Sequence, residues 1–193
     1  MIKIGLTGGM GSGKSTVATY IQMIGFPVYD SDTQAKKLMT FNQDLIKQIK
    51  ATFGSAIFIN GSIDRKQLAD IVFTSSDKLN RLNEIVHPFV KNDFTQWMQQ
   101  QKSPLVFLES AILFESNFYL LMDKTIVVTA PIDERIQRIE QRDHLQREDI
   151  LKRLQHQLPE KQLLKLADFL IINDHEHAVI PQVNEIIKDI LPK

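Results

Sequence analysis

The sequence predicts an α/β fold with a largely parallel sheet, and three observations lead to this prediction. Apolar strand-like runs alternate with helical segments along the chain, an order that requires crossover connections between parallel strands. Residues 8–15 read Gly-Gly-Met-Gly-Ser-Gly-Lys-Ser, between a strand-like run at 2–6 and a helical segment at 15–24. The chain has 193 residues, 43% of them hydrophobic, which is enough for one α/β domain with insertions.

The predicted strands and helices, taken in chain order, support this fold class. Short runs of mostly apolar residues predict strands at 2–6, 27–29, 105–108, 125–129 and 169–172. Between the second and third of these strands the chain is predicted to be mostly helical. Ser62 is expected to cap one of its helices, and His87-Pro88 to separate a helix at 78–86 from one at 89–101. Later helices are expected at 132–142, 146–157 and 179–191.

This order predicts three parts. A nucleotide-binding core is expected to contain residues 1–32, 104–132 and 166–193. A helical acceptor-binding domain is expected at 33–103, and a helical lid at 133–165. The 23 basic and 23 acidic residues cancel, which argues against a general nucleic-acid binder. With no cysteine, no signal-peptide pattern and no long apolar run, a soluble cytoplasmic protein that binds neither nucleic acid nor membrane is expected.

Residues 8–15 form a complete G-x-x-x-x-G-K-S phosphate-binding loop, or P-loop. Its glycines allow backbone N–H groups to turn toward phosphate oxygens, and the following helix adds its positive N-terminal end. The Lys14 side chain can reach the β- and γ-phosphates, and the Ser15 hydroxyl can join a Mg²⁺ shell. A glycine-rich turn with an incidental lysine is the disfavoured alternative. The expected nucleotide contacts are Gly9, Met10, Gly11, Ser12, Gly13, Lys14, Ser15 and Thr16.

Three arginines share one face of a polar helix. Arg135, Arg138 and Arg142 are spaced i, i+3 and i+7. This arrangement is typical of a lid that brings positive charge to phosphates. A solvated helix whose arginines pair with neighbouring acids is the alternative. That alternative is favoured for Arg135 and left open for Arg138 and Arg142.

Acidic residues follow two of the predicted strands. Asp30 and Asp32 come after the second strand, where a carboxylate can orient an acceptor hydroxyl and take its proton. Helix N-capping is an equally good interpretation of these residues taken alone. Glu109 follows the third strand, where an acid can assist magnesium or merely end a strand. Arg65 and His87 indicate little by themselves, and no metal site is expected at His175-x-His177.

Together these residues resemble the dephospho-coenzyme A kinase family over nearly the whole chain. The family's opening Leu-Thr-Gly-Gly motif begins at Leu6, and Asp-x-Asp follows the second strand. Further similarities are Gly61-x-Ile63-Asp64-Arg65, Leu82-Asn83-x-Ile85-x-His87-Pro88, Leu113-Phe114-Glu115, Arg138-x-x-x-Arg142 and Ala167-Asp168-x-x-Ile171-x-Asn173. Two positions depart from the family pattern: Ala111 stands where proline is usual, and Glu109 where aspartate is usual.

The resemblance implies transfer of the ATP γ-phosphate to the ribose 3′-hydroxyl of dephospho-coenzyme A. The implied fold is a three-layer α/β/α sandwich of five parallel strands, and a monomer is expected, an oligomer not being excluded. It implies catalytic roles for Asp32, Lys14 and Arg142, nucleotide contacts from Arg138 and Asn173, and Mg²⁺ held through Ser15 and Glu109. Acceptor contacts are implied for Thr7, Asp32, Arg65, His87, Leu113, Phe114 and Glu115.

Two rival functions remain to be separated. A kinase of another small alcohol or of a nucleoside monophosphate would share the P-loop and the lid. It would not be expected to share the His-Pro and Leu-Phe-Glu segments. A GTP-binding switch protein would be expected to carry Asn-Lys-x-Asp after a strand, and the sequence contains no such tetrapeptide.

Overall fold

The computed structural model describes residues 1–59, 61–155 and 157–191, which form two compact units. The first unit contains Met1–Asp30 and the chain from Gln101 onward, and the second contains Ser31–Gln100. Residue 156 of the predicted lid and residues 192 and 193 of the predicted core lie outside the described residues.

The strands are β1 (Ile2–Thr7), β2 (Val28–Asp30), β3 (Phe58–Ile59), β4 (Ser62–Ile63), β5 (Leu105–Glu109), β6 (Lys124–Thr129) and β7 (Phe169–Ile172). The α-helices are α1 (Lys14–Met23), α2 (Ser31–Phe41), α3 (Gln43–Phe53), α4 (Arg65–Val72), α5 (Ser76–Gln99), α6 (Ile132–Asp143), α7 (Arg147–Leu154), α8 (Glu160–Leu166) and α9 (Val179–Ile190). No helix among these residues is both long and apolar enough to cross a membrane.

The first unit is built on a five-stranded sheet in the order β2-β5-β1-β6-β7, with every neighbouring pair parallel. This confirms the predicted sheet. The register pairs Leu6 with Glu109 and Asp30 with Glu109. The carboxyl ends of β1, β2 and β5 therefore meet at one edge, where ligands of open α/β sheets bind.

Helices cover both faces of this sheet and make the three predicted layers. On one face, α1 and α9 bury Val17, Ile21 and Val183 against Ile4 and Phe107 of the central strands. On the other face, α8 and the loop after β5 pack against Val127 of β6 through Leu163 and Phe114. Helix α8 was not predicted from the sequence, and α7 ends at Leu154, before the predicted end at 157.

Helices α6 and α7 form a smaller apolar cluster of their own. Ile136, Ile139 and Ile150 are buried between them, and Met10 of the P-loop packs against this cluster. The tip of the P-loop is therefore anchored in the helical pair that follows β6.

The second unit is organised around α5, against which α2, α3 and α4 pack. The predicted break at His87-Pro88 is wrong, because α5 is one helix of 24 residues with Pro88 inside it. A proline in a helix interior removes one hydrogen bond and costs about 3 kcal/mol. Val86, Val90 and Phe94 are buried on α5 to either side of it, and their burial offsets this cost.

The prediction that Ser62 caps a helix is also wrong. Ser62 lies in β4, which pairs antiparallel with β3, so the segment before α4 is a short hairpin. The N-cap of α4 is Asp64, whose carboxylate accepts hydrogen bonds from the backbone N–H groups of Lys66 and Gln67 at 3.0 and 3.1 Å. Asp64 is closer to the first helical turn than Ser62 and can reach its free N–H groups.

Candidate active site

The P-loop connects β1 to α1 and turns on glycines with positive φ. Gly11 has φ +81°, and Gly13, the N-cap of α1, has φ +92°. The Gly13 carbonyl accepts the N–H groups of Thr16 and Val17 at 3.0 and 3.2 Å, which starts the helix at Lys14. The free N–H groups and positive dipole end of α1 thus face the loop and favour an anion there.

A cavity of about 270 Å³ lies over this helix end. Lys14, Arg138 and Arg142 give it three cations, and none of its lining residues is acidic. The remaining lining residues are Gly9, Gly11, Gly13, Ser15, Thr16 and Ile139. The charge of this cavity and its position over a helix N-terminus favour an anion such as a polyphosphate.

Arg138 and Arg142 line the cavity from α6, and both also pair with neighbouring acids, as the alternative interpretation expects. The Arg138 guanidinium donates to the Glu134 carboxylate at 2.8 Å and to the Asn173 carbonyl at 3.0 Å. Arg142 donates through Nε and Nη2 to both carboxylate oxygens of Asp143, at 2.7 and 2.8 Å. The hydrogen bonds to Asp143 raise the pKa of Arg142, so its charge is secure.

Arg135 corrects the expectation of a solvated, ion-paired side chain. It is only 8% exposed, and its Nε donates to the Met10 carbonyl at 3.0 Å. Its guanidinium lies so close to the P-loop that a Cβ added at Gly9 would overlap with Nη2. Burial lowers the pKa of Arg135, although the Glu160 carboxylate acts in the opposite direction. Arg135 therefore supports the P-loop through the Met10 carbonyl. Its position on the same helix face as Arg138 and Arg142 could have indicated this contact.

Asn173, at the end of β7, holds the P-loop from another side. Its Nδ2 donates to the Ser12 carbonyl at 2.8 Å, and its own carbonyl accepts from Arg138. Ser12 is buried, and its hydroxyl has no hydrogen-bond partner among the described residues. Asn173 therefore joins the loop to α6, and a direct nucleotide contact from it stays a prediction.

Ser15 and Glu109 come together at the edge of the sheet. The Ser15 hydroxyl donates to Glu109 Oε1 at 2.7 Å, and Glu109 is 8% exposed at the end of β5. A hydroxyl oxygen and a buried carboxylate beside a phosphate site are the hard oxygen donors that Mg²⁺ prefers. The two residues predicted as metal ligands are thus neighbours, and they fit a magnesium ion in their chemistry.

Gln157, which was not predicted as a site residue, follows α7 and contacts two loops. Its Oε1 accepts the Met10 N–H at 2.8 Å, and its Nε2 donates to the Ala111 carbonyl at 3.2 Å. Met10 was predicted as a nucleotide contact, but its N–H group is occupied by this side chain. Gln157 is 147 residues from Met10 in sequence, so no local pattern indicates the contact.

The loop after β5 carries three predicted acceptor residues. Leu113 and Phe114 are buried, while Glu115 is exposed and accepts the Leu158 N–H at 2.9 Å. Thr7 is buried at the end of β1. All four residues therefore have packing or structural contacts in the first unit, and their contact with an acceptor stays a prediction.

The other predicted acceptor residues lie in the second unit. Asp32 is exposed in the first turn of α2. Arg65 Nη2 donates to the Lys36 carbonyl at 2.9 Å and to Thr40 Oγ1 at 2.6 Å, so α2 positions its guanidinium. Burial, and then the charge of Lys91, lower the pKa of His87 to about 4, so this imidazole is neutral near pH 7.

The parallel sheet, the glycine loop leading into α1 and the arginine face of α6 define a class, the P-loop kinases. The sequence model of the family described as dephospho-CoA kinase matches residues 2–178. A dephospho-CoA kinase of Porphyromonas gingivalis is 41% identical, with 100% of this chain and 96% of the relative covered. One of Bacteroides fragilis is 38% identical, with 96% and 91% covered.

A crystal structure from Thermus thermophilus has the same fold, with a TM-score of 0.84 and 34% identity over 98% of this chain and 95% of that one. The chain belongs to the dephospho-CoA kinase family. This confirms the family that its motifs resemble, and neither rival function is favoured.

Proposed function

We propose that this chain transfers the γ-phosphoryl group of ATP to the ribose 3′-hydroxyl of dephospho-coenzyme A, giving coenzyme A and ADP. The observation that carries the proposal is the cationic cavity over the N-terminus of α1 in a member of this family. The absence of cysteine suits the reducing cytoplasm, which we propose as its location.

In the proposed reaction the P-loop and its supports position the triphosphate. Lys14 and the first amides of α1 bind the β- and γ-phosphates, while Arg138 and Arg142 add charge from α6. The acceptor oxygen forms a bond to γ-phosphorus as the bond to the β,γ-bridging oxygen breaks. These cations stabilise the charge that spreads over the transferring group and the leaving ADP.

Magnesium is proposed at Ser15 and Glu109, whose oxygens are already adjacent. When bound, the ion would neutralise charge on the β- and γ-phosphates. The chain's own contribution is a hydroxyl positioned by the start of α1 and a carboxylate held in a buried strand end.

Asp32 is proposed to act on the acceptor. Its carboxylate would accept a hydrogen bond from the 3′-hydroxyl, align it, and take its proton late in the reaction. Arg65, His87, Thr7 and the loop residues Leu113, Phe114 and Glu115 are proposed to bind the acceptor, from the family resemblance. Asp30 is proposed to have a smaller role in catalysis, because it is the last residue of β2 and pairs with Glu109 of β5 in the sheet.

The reaction is tested by incubating the protein with Mg²⁺, ATP and dephospho-coenzyme A and detecting coenzyme A by mass. Lys14→Ala should abolish turnover in a folded protein, since its ammonium acts on the transferring phosphoryl group. A thermal-shift panel of ATP, GTP, dephospho-coenzyme A and AMP separates the rivals, because ligands of the native state raise its stability. Turnover of AMP but not of dephospho-coenzyme A would contradict the proposal.

The acceptor role is tested by comparing Asp32→Asn with Asp30→Asn. Asp32→Asn keeps the side-chain shape but removes the charge, so kcat should fall by at least about a hundredfold. Nucleotide binding, measured by titration, should hardly change. If Asp32→Asn keeps most of its kcat while Asp30→Asn is inactive, the wrong aspartate has been assigned.

A further inference from the structure

The side chain of Gln157 connects two loops that lie at the same edge of the sheet. One is the P-loop, through the Met10 N–H at 2.8 Å, and the other is the loop after β5, through the Ala111 carbonyl at 3.2 Å. The next residue strengthens the second contact, since the Leu158 N–H donates to Glu115 and its side chain packs against Phe114. Gln157 and Leu158 therefore hold both loops by three hydrogen bonds.

The chemistry of the contact requires a neutral amide. Gln157 accepts one hydrogen bond and donates another, and each partner is a backbone group that needs the opposite role. A carboxylate can accept from Met10 but cannot donate to Ala111, where it would meet a carbonyl oxygen. An apolar side chain of similar size leaves both half-buried backbone groups without this partner, which is costly in a protein interior.

The two loops contribute to opposite sides of the proposed reaction. The P-loop leads to Lys14 at the triphosphate, and the loop after β5 begins one residue after Glu109 and carries Leu113 and Phe114. Their strands are neighbours in the sheet, and the Ser110 N–H donates to the Leu6 carbonyl at 3.0 Å at the base of the two loops. Gln157 joins the same two loops farther out, at Met10 and Ala111.

We propose that Gln157 is a positioning residue that fixes the P-loop and the loop after β5 relative to each other for phosphoryl transfer. This proposal rests on the proposed function. Misplacing reacting groups by about 1 Å can cost on the order of a hundredfold in rate. Loosening this contact should therefore lower kcat, with much smaller changes in the KM values for ATP and dephospho-coenzyme A. Water should also reach the phosphoryl group more often, so ADP would form without coenzyme A.

The test compares Gln157→Glu and Gln157→Leu with the same changes at Gln155. Gln155 is exposed in the same segment, two residues earlier, so its variants control for the chemical change. For each protein, kcat, both KM values and the ratio of ADP to coenzyme A formed are measured, with the thermal midpoint as a check of folding. Both Gln157 variants should lose about ten- to a hundredfold in kcat, and the ADP ratio should rise above one. The Gln155 variants should resemble the wild type.

The proposal is overturned if the Gln157 variants keep kcat within about twofold of the wild type and form one ADP per coenzyme A. It is also overturned if only their thermal midpoint falls, since that is the effect of a purely structural residue. Gln157→Glu has nearly the shape of the native side chain, so it decides the question if Gln157→Leu does not fold. A wild-type protein that makes no coenzyme A contradicts the proposed function instead.

Discussion

Replacing Gly11 by alanine tests whether the P-loop packs directly against the backbone of α6. An added Cβ would lie 2.5 Å from the Arg135 carbonyl oxygen and 3.0 Å from its carbonyl carbon and Cα, all backbone atoms of α6. Such atoms cannot rotate away, so the loop or the helix must shift. We expect about 1–3 kcal/mol from this overpacking. The left-handed backbone at φ +81° adds about 1–2 kcal/mol for any residue with a Cβ.

Gly25→Ala separates these two costs. Gly25 also has a positive φ, +96°, but its Cβ would meet nothing within 4 Å. Only the conformational cost of about 1–2 kcal/mol applies there, against about 2–5 kcal/mol in total for Gly11→Ala. Thermal unfolding followed by circular dichroism measures both, at about 2–4 °C per kcal/mol for a chain of this size. Equal midpoints for the two variants, within experimental error, would refute the reasoning.

Two further substitutions test the arginines of α6, and a third tests an ion pair at the amino ends of β6 and β7. Arg142→Lys should lower kcat more than tenfold and change the KM for ATP less, because an ammonium cannot reproduce a planar fork; a change in KM alone would instead indicate ground-state binding. Arg135→Lys should cost about 1.5–3 kcal/mol in urea unfolding through the lost bond to Met10, and an unchanged midpoint would count against that support. Burial opposes ionisation of Asp168, but hydrogen bonds from Lys124 and Thr125 prevail and lower its pKa. Asp168 thus stabilises the fold above its unfolded pKa, so the stability difference between the wild type and Asp168→Asn should shrink as pH falls below about 4; a difference that grows on acidification would contradict this.

The sheet could be predicted from the sequence because each of its strands is a short run of mostly apolar residues. Errors arose where a distant contact overrides a local signal. Pro88 normally ends a helix, yet the packing of α2, α3 and α4 around α5 carries the helix through it. Strands β3 and β4 of the hairpin contain only two residues each, which is too short for a periodic pattern in the sequence.

In the site, too, local patterns could be predicted from the sequence and distant contacts could not. The P-loop and the arginine face of α6 could be predicted because each is a local pattern of residues with a chemical meaning, whereas the metal role of Glu109 stays a prediction. Arg135 was misjudged because burial of a charged side chain depends on what lies opposite its helix face. Gln157 was missed because its partners, Met10 and Ala111, are 147 and 46 residues away.

Strand β1 can pair with β5 only after much of the chain has been synthesised. Ile2 pairs with Leu105, so synthesis must proceed through 103 further residues before the first strand meets this neighbour. At ribosomal rates of about 5–20 residues per second, that interval is roughly 5–20 s. Residues 31–100 emerge in the meantime and can form the packing around α5. The P-loop also lacks its contacts with Arg135 and Asn173 until α6 and β7 have followed it from the ribosome.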